Sequence, residues 1–206
     1  MAEKRRDGPA MKRKILLIDD HLPSRSFLAR ALAQEGFDIV GEGASARSSV
    51  FLAKEKKPDA ILMAVGLPDV DGISAAQKIM EASPCPVILV TSHYEAATIE
   101  RAKKAGVMAY LIKPVRPEEL RPTIEMSASR FAEFMSLRKE NEDLTKTLES
   151  RKAIERAKGI LMKRQGLSEA EAFALIQKRS MDTRKPMAEI AEAIMLTEGM
   201  TRERRI

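Results

Sequence analysis

Residues 60–72 read AILMAVGLPDVDG: six apolar residues in a row, then a loop built from glycine, proline and aspartate. An apolar run of that length bounded by turn residues marks a buried strand, and the glycine at the far end is placed to start the next element. Three further runs share the pattern, at 15–18, 87–90 and 109–112, and a fifth strand is expected at 38–43. Between them apolar positions recur at helical spacing over 24–34, 46–56, 72–82 and 94–104, and another helix opens at Glu118 behind Pro117. Strands separated by single helices pair in parallel, so the expected fold is α/β, a doubly wound five-stranded parallel sheet with helices on both faces. In such a sheet the ligand site lies at the carboxyl ends of the strands.

After Arg121 the strand signals stop and everything reads as helix. From Phe134 a heptad places Phe134, Asn141 and Leu148 at a, and Leu137, Leu144 and Arg151 at d. Asn at an a position with Leu at d favours two parallel helices, since a buried amide is best met by its own copy. Glu133 and Arg138 would attract across that seam, while a lone helix lying on the first domain would use the same stripe. A helix over 151–165 is stopped by Gly166, Ser168 with Glu171 makes a capping box for the next, and 182–186 is a turn with Pro186 opening a third. Ile154, Ala157, Leu161, Phe173, Ile176, Ile190 and Ile194 supply the facing apolar surfaces, and Met162 reads as packing too. The expected division is a basic tail at 1–13, the α/β domain at 14–121, a helical, coiled-coil-like linker at 122–150 and a small three-helix all-α domain at 151–206.

The net charge of +6 is unevenly spread. Residues 1–13 carry five Lys/Arg against two Asp/Glu and residues 151–206 thirteen against eight, whereas the stretches between are each one charge negative. A basic C-terminal domain suits a polyanion, although solvated charge is the commoner meaning of such counts. The single cysteine, Cys85, rules out an internal disulfide, and no apolar stretch approaches a membrane span or a secretory leader. A cytoplasmic protein is expected, with no membrane partner. It is not expected to be an enzyme: no Ser/His/Asp order and no phosphate-cradling glycine loop are present, and His21 and His93 read as isolated loop residues.

Asp19 and Asp20 follow the first strand directly, Thr91 ends the 87–90 run, and Lys113 ends the last, ahead of Pro114. Adjacent acids at a strand's carboxyl end repel unless a cation joins them, and hard oxygen ligands suit Mg²⁺. With Leu67-Pro68-Asp69-Val70-Asp71-Gly72 and Tyr110, these residues in this order resemble the receiver domain of two-component response regulators, over about residues 12–130, a flavodoxin-like fold. The resemblance implies that Asp19, Asp20 and Gly66 lie at a Mg²⁺ site, that Thr91 and Lys113 meet a phosphoryl group, that Tyr110 reports the state and that Lys113-Pro114 is cis. It implies a sensor kinase or regulatory protein as partner. At the place where that family carries its phospho-acceptor aspartate, this sequence has Ala64. A methyl group neither attacks phosphorus nor offers a metal an oxygen, so the Mg²⁺ site is weakened and the usual phosphorylation is lost. A natural pseudo-receiver and an engineered block would read alike. Asp69 and Asp71 are poor substitutes, and Lys113 is expected to pair with Asp20.

Residues 151–194 contain the run Ala157-Lys158-Gly159-Ile160-Leu161-Met162, then Ala170 to Phe173, then Ser180-Met181-Asp182. They resemble the ANTAR domain, an output module of transcription antitermination regulators, and a glycine inside a helix needs a reason such as close backbone approach. The resemblance implies binding to RNA hairpins. Lys152, Arg156, Lys158, Lys163, Arg164, Lys178, Arg179, Arg184 and Lys185 are the candidate contacts, with Lys158 and Arg164 foremost because they fall within or beside the matching run. Glu171-Ala172-Phe173 reads as core, and with Phe173 the only aromatic after Phe134, folded RNA is a better target than an unstructured strand. A homodimer through residues 122–150 is expected. A protein-docking adaptor and a DNA-binding regulator are the alternatives, the latter weaker because no base-reading recognition helix stands out.

Overall fold

The computed structural model describes residues 12–92 and 95–203, with side chains as far as Thr197. The chain divides into two compact units, Met1–Met135 and Ser136–Ile206. In the first, β1 (Lys14–Ile18), β2 (Asp38–Gly43), β3 (Ala60–Ala64), β4 (Val87–Thr91) and β5 (Ala109–Ile112) form one parallel sheet in the order β2-β1-β3-β4-β5. The helices between them are α1 (Leu22–Gln34), α2 (Ala46–Lys56), α3 (Gly72–Ala82) and α4 (Ala96–Lys104), and α5 begins at Pro117.

The two-residue period of a strand divides the core. Leu16, Ile18, Ile61 and Met63 face α2 and α3, where Ala53, Ile73, Ala76 and Ile79 close over them. Ile15, Leu17, Leu62 and Val90 face the other way, under Leu28 and Leu32 of α1 and Leu120 and Ile124 of α5. β3 is buried along its whole length, whereas the edge strand β2 is only half-buried. Pro23 in the first turn of α1 lets that helix begin earlier than expected, where a missing N–H costs nothing, and His21 is its N-cap rather than an idle loop residue: Nδ1 accepts from the Ser24 amide at 3.3 Å. The start of the helix expected over 94–104, like His93, lies outside the described residues; its described part begins at Ala96.

The second unit holds the C-terminal part of α5, then α6 (Glu169–Thr183) and α7 (Met187–Glu203). α5 runs unbroken from Pro117 to Gln165, so no separate helix starts near residue 151. Gly166 ends it at φ +65, a left-handed conformation that favours glycine. The capping box is present: Ser168 accepts from the Glu171 amide while the Glu171 carboxylate accepts from the Ser168 amide at 2.8 Å. α6 continues through Asp182 and Thr183, so the turn is shorter than expected and centres on Arg184 at φ 52. The core is small: Ala157, Leu161, Ala172, Ile176, Ile190 and Ala191, flanked by Ile154, Leu175, Met187 and Ile194. Each fully buried side chain such as Ile176 contributes about 2 kcal/mol of transfer free energy. Phe173 and Met162 do not join it; they are 43% and 39% exposed.

Cys85 is buried in the first unit with its Sγ 3.2 Å from the Pro58 carbonyl oxygen. Burial pushes its thiol up to about 12, and the nearby Asp59 adds to the effect.

Candidate functional site

The carboxyl ends of β1, β3, β4 and β5 bring Asp19, Ala64, Thr91 and Lys113 to one edge of the sheet. The Lys113 amide donates to the Thr91 carbonyl at 2.7 Å, fixing the lysine over the neighbouring strand, and the Lys113-Pro114 peptide is cis. Asp20, Ala64, Gly66, Thr91, Glu95 and Lys113 line a cleft there. Tyr110 lies on the edge strand β5 and is partly exposed.

The two acids have separate fates. Asp19 is 1% exposed; its Oδ1 accepts from the His21 amide at 2.9 Å, and its Oδ2 from Ser24 Oγ and Lys113 Nζ, each at 2.7 Å. Burial alone would raise its pKa, yet the hydrogen bonds from Lys113, Ser24 and the His21 amide, with the lysine's charge, outweigh that and hold the carboxyl below its ordinary range. Asp20 faces solvent in the cleft. Lys113 therefore pairs with Asp19 and not with Asp20, because the acid cut off from water is the one that needs donors.

The loop after β3 spends its own acids on helix ends. Asp69 accepts from the Ala46 and Arg47 amides at 2.8 and 3.0 Å, capping α2 from a distance in sequence, and these bonds lower its pKa. Asp71 caps α3 through the Ile73 and Ser74 amides and pairs with Arg101 at 3.1 Å. Gly72 closes the loop: a Cβ there would lie 2.2 Å from the Ala64 carbonyl oxygen, so only glycine lets α3 start against the end of β3.

Of the acids expected at a magnesium site, only Asp20 keeps a carboxylate without a protein partner among the described residues. Asp19 has given both oxygens to protein donors, Ala64 offers none, and the Lys113 ammonium already supplies the positive charge beside Asp19. Among the described residues no three His, Cys, Asp or Glu side chains gather as a metal site.

In the second unit the candidate cations divide by face. Lys158, foremost in the sequence reading, is turned inward: its side chain is 9% exposed and its Nζ lies 2.6 Å from Glu169 and 2.9 Å from Glu155. Its hydrogen bonds to Glu169 and then to Glu155 raise its pKa. It ties α5 to α6 and is not presented to a ligand. The i,i+3 partner Glu155 was legible in the sequence, whereas Glu169, eleven residues away across the turn, carried no local signal. Lys152, Arg156, Lys163, Arg164, Lys178, Arg179, Arg184 and Lys185 are exposed. Lys185 lies 3.6 Å from Glu189, while Lys152, Arg156 and Lys163 have no carboxylate partner among the described residues. Apart from its own turns of helix and its chain neighbours, Gly159 has no heavy atom within 4 Å of where a Cβ would stand, so the close approach expected for it is absent among the described residues.

On α5 before that region, Phe134, Leu137, Leu144 and Leu148 are 43%, 60%, 64% and 53% exposed. Arg138, expected to reach Glu133 of a second copy, bonds Glu142 of its own helix at 3.2 Å. No helix among the described residues is long and apolar enough to cross a membrane.

Comparison with known proteins agrees with both halves. Residues 15–125 match the response regulator receiver domain and residues 142–195 the ANTAR domain. The transcriptional regulatory protein PdtaR of Mycobacterium tuberculosis is 40% identical over 194 residues, covering 94% of this chain and 95% of the relative. The chemotaxis protein CheY of Thermotoga maritima is 32% identical over 53% of this chain and 92% of its own. Among solved structures, the receiver domain of the putative response regulator NarL of M. tuberculosis superposes with a TM-score of 0.55 at 28% identity, over 57% of this chain and 97% of that domain. The chain belongs to the response regulators, carrying a receiver domain followed by an ANTAR domain.

Proposed function

We propose that this response regulator controls transcription antitermination in the cytoplasm by binding RNA hairpins through its ANTAR domain, without phosphorylation of its receiver. The outward cations Lys152, Arg156 and Lys163, with no carboxylate partner among the described residues and on the helix whose Lys158 is buried in ion pairs, carry the reading. Exposed guanidinium and ammonium groups on a helix suit the phosphates and 2′-hydroxyls of paired RNA, whose wide, shallow minor groove displays them. Arg164, Lys178, Arg179, Arg184 and Lys185 extend the surface. Ala64 stands where an acceptor carboxylate would have to be, and the Lys113–Asp19 pair holds the receiver in one state. Input then comes from a docked sensor kinase or other regulatory protein. The exposed row from Phe134 to Leu148 supports a parallel dimer through residues 122–150.

The test is a salt titration of the full chain against a two-hairpin RNA and a duplex DNA of equal length, with light scattering on the same samples. Tight RNA binding that weakens steeply with salt, in a particle of dimer mass, is the expected result. Equal or better binding to DNA would overturn the reading. Protein docking is the second reading, favoured by the exposed Phe173 and Met181 at 43% and 73%; it predicts that neither nucleic acid binds.

A further inference from the structure

Gly159 is a residue without a local reason. It lies well inside α5, not at its end, which Gly166 forms, so it is no helix terminator. No neighbouring atom among the described residues needs the room, so it is no packing glycine. Glycine nevertheless weakens a helix interior relative to alanine, because it gives up more backbone freedom on folding.

Its place on the helix supplies a reason. At about 100° per residue, positions 152, 156, 159 and 163 fall within about 60° of one another, roughly opposite the arc of the core residues Ala157 and Leu161 and the buried Lys158. Gly159 thus interrupts the row of cations that have no carboxylate partner among the described residues, with Arg156 before it and Lys163 after it. A helical side chain covers the turn N-terminal to its own Cα, so a missing one leaves that turn's backbone bare.

We propose that Gly159 is where the sugar–phosphate backbone of a paired RNA strand lies directly on the helix, with Arg156 and Lys163 holding phosphates on either side. This rests on the RNA reading above and adds its point of closest approach. A strand seated there touches helix backbone, and a Cβ would stand between the two.

The probe is the tightest hairpin recovered by the full-length chain from a pool of RNA hairpins with a fixed stem and randomised loop. Gly159→Ala should weaken its binding about tenfold, the scale of one added methyl in a close-packed contact, and Gly159→Leu about a further tenfold. Gly159→Ala should at the same time slow hydrogen exchange of the surrounding α5 amides about fivefold, because the helix itself becomes more stable. It should leave the salt slope unchanged, whereas Arg156→Gln and Lys163→Gln should each reduce it by about one. Ala and Leu have similar helix propensities, so equal losses from both would mean that glycine serves flexibility, and the proposal would be wrong. Binding by Gly159→Ala as tight as that of the native chain would overturn it alone. A pool that yields no binder would remove the RNA reading and this inference together.

Discussion

Each unit holds one lysine against buried surroundings, and the two arrangements are inverted. In the receiver the carboxylate is the buried member: Asp19 is 1% exposed and Lys113 27%. In the ANTAR unit the cation is buried at 9%, and its carboxylates, Glu155 and Glu169, are 66% and 70% exposed. A buried carboxylate that loses its cation keeps its charge out of water, whereas exposed carboxylates that lose theirs rehydrate. The receiver's pair is therefore the costlier one to break, while the ANTAR ion pairs strap two helices together and leave Lys152, Arg156 and Lys163 to face outward.

The largest expected effect concerns Ala64. The native chain should take up no acid-labile phosphate from acetyl phosphate with Mg²⁺, and Ala64→Asp should take it up; labelling of the native chain would mean that the acceptor lies elsewhere. Next, Lys113→Met should lower the unfolding free energy of the receiver by about 3 kcal/mol, measured by urea denaturation, because it strands Asp19. A loss under about 1 kcal/mol would place the pair among ordinary surface bridges.

The pH dependence follows from the same pair. Asp19 titrates lower folded than unfolded, so its contribution is complete above the ordinary carboxylate range and is lost as pH falls through the lowered value. The urea midpoint should hold steady near neutrality and drop below about pH 4. In Lys113→Met the drop should be smaller, because losing the lysine raises the folded pKa of Asp19 toward or above its unfolded value, and coincident profiles would separate Asp19 from acid stability. The smallest effect is expected from Lys158→Gln, which should move the urea midpoint less than Lys113→Met and leave the salt slope of RNA binding intact. A reduced slope would mean that Lys158 leaves its carboxylates for phosphate.

Strands buried on both faces were the most legible part of the fold, because β1, β3 and β4 have no choice but unbroken apolar runs. The continuity of α5 was not: nothing physical separates residue 150 from 151, and the expected boundary there followed a motif rather than a cap or a breaker. In the site, the identity of the pocket residues was readable and their pairing was not. Which of two adjacent acids receives Lys113 depends on which one the sheet buries, and a two-letter repeat does not say. Lys158 was misjudged for a similar reason, since its strongest partner lies on another helix. Asp69 capping α2 is equally non-local.

The lone thiol offers a practical consequence. Cys85 is both shielded and held protonated, with a pKa of about 12, so it should stay inert toward alkylating dyes in the folded chain. Any cysteine introduced on the surface can then be tagged singly without first removing the native one, and pairs of such tags can gauge the spacing of the two units in solution.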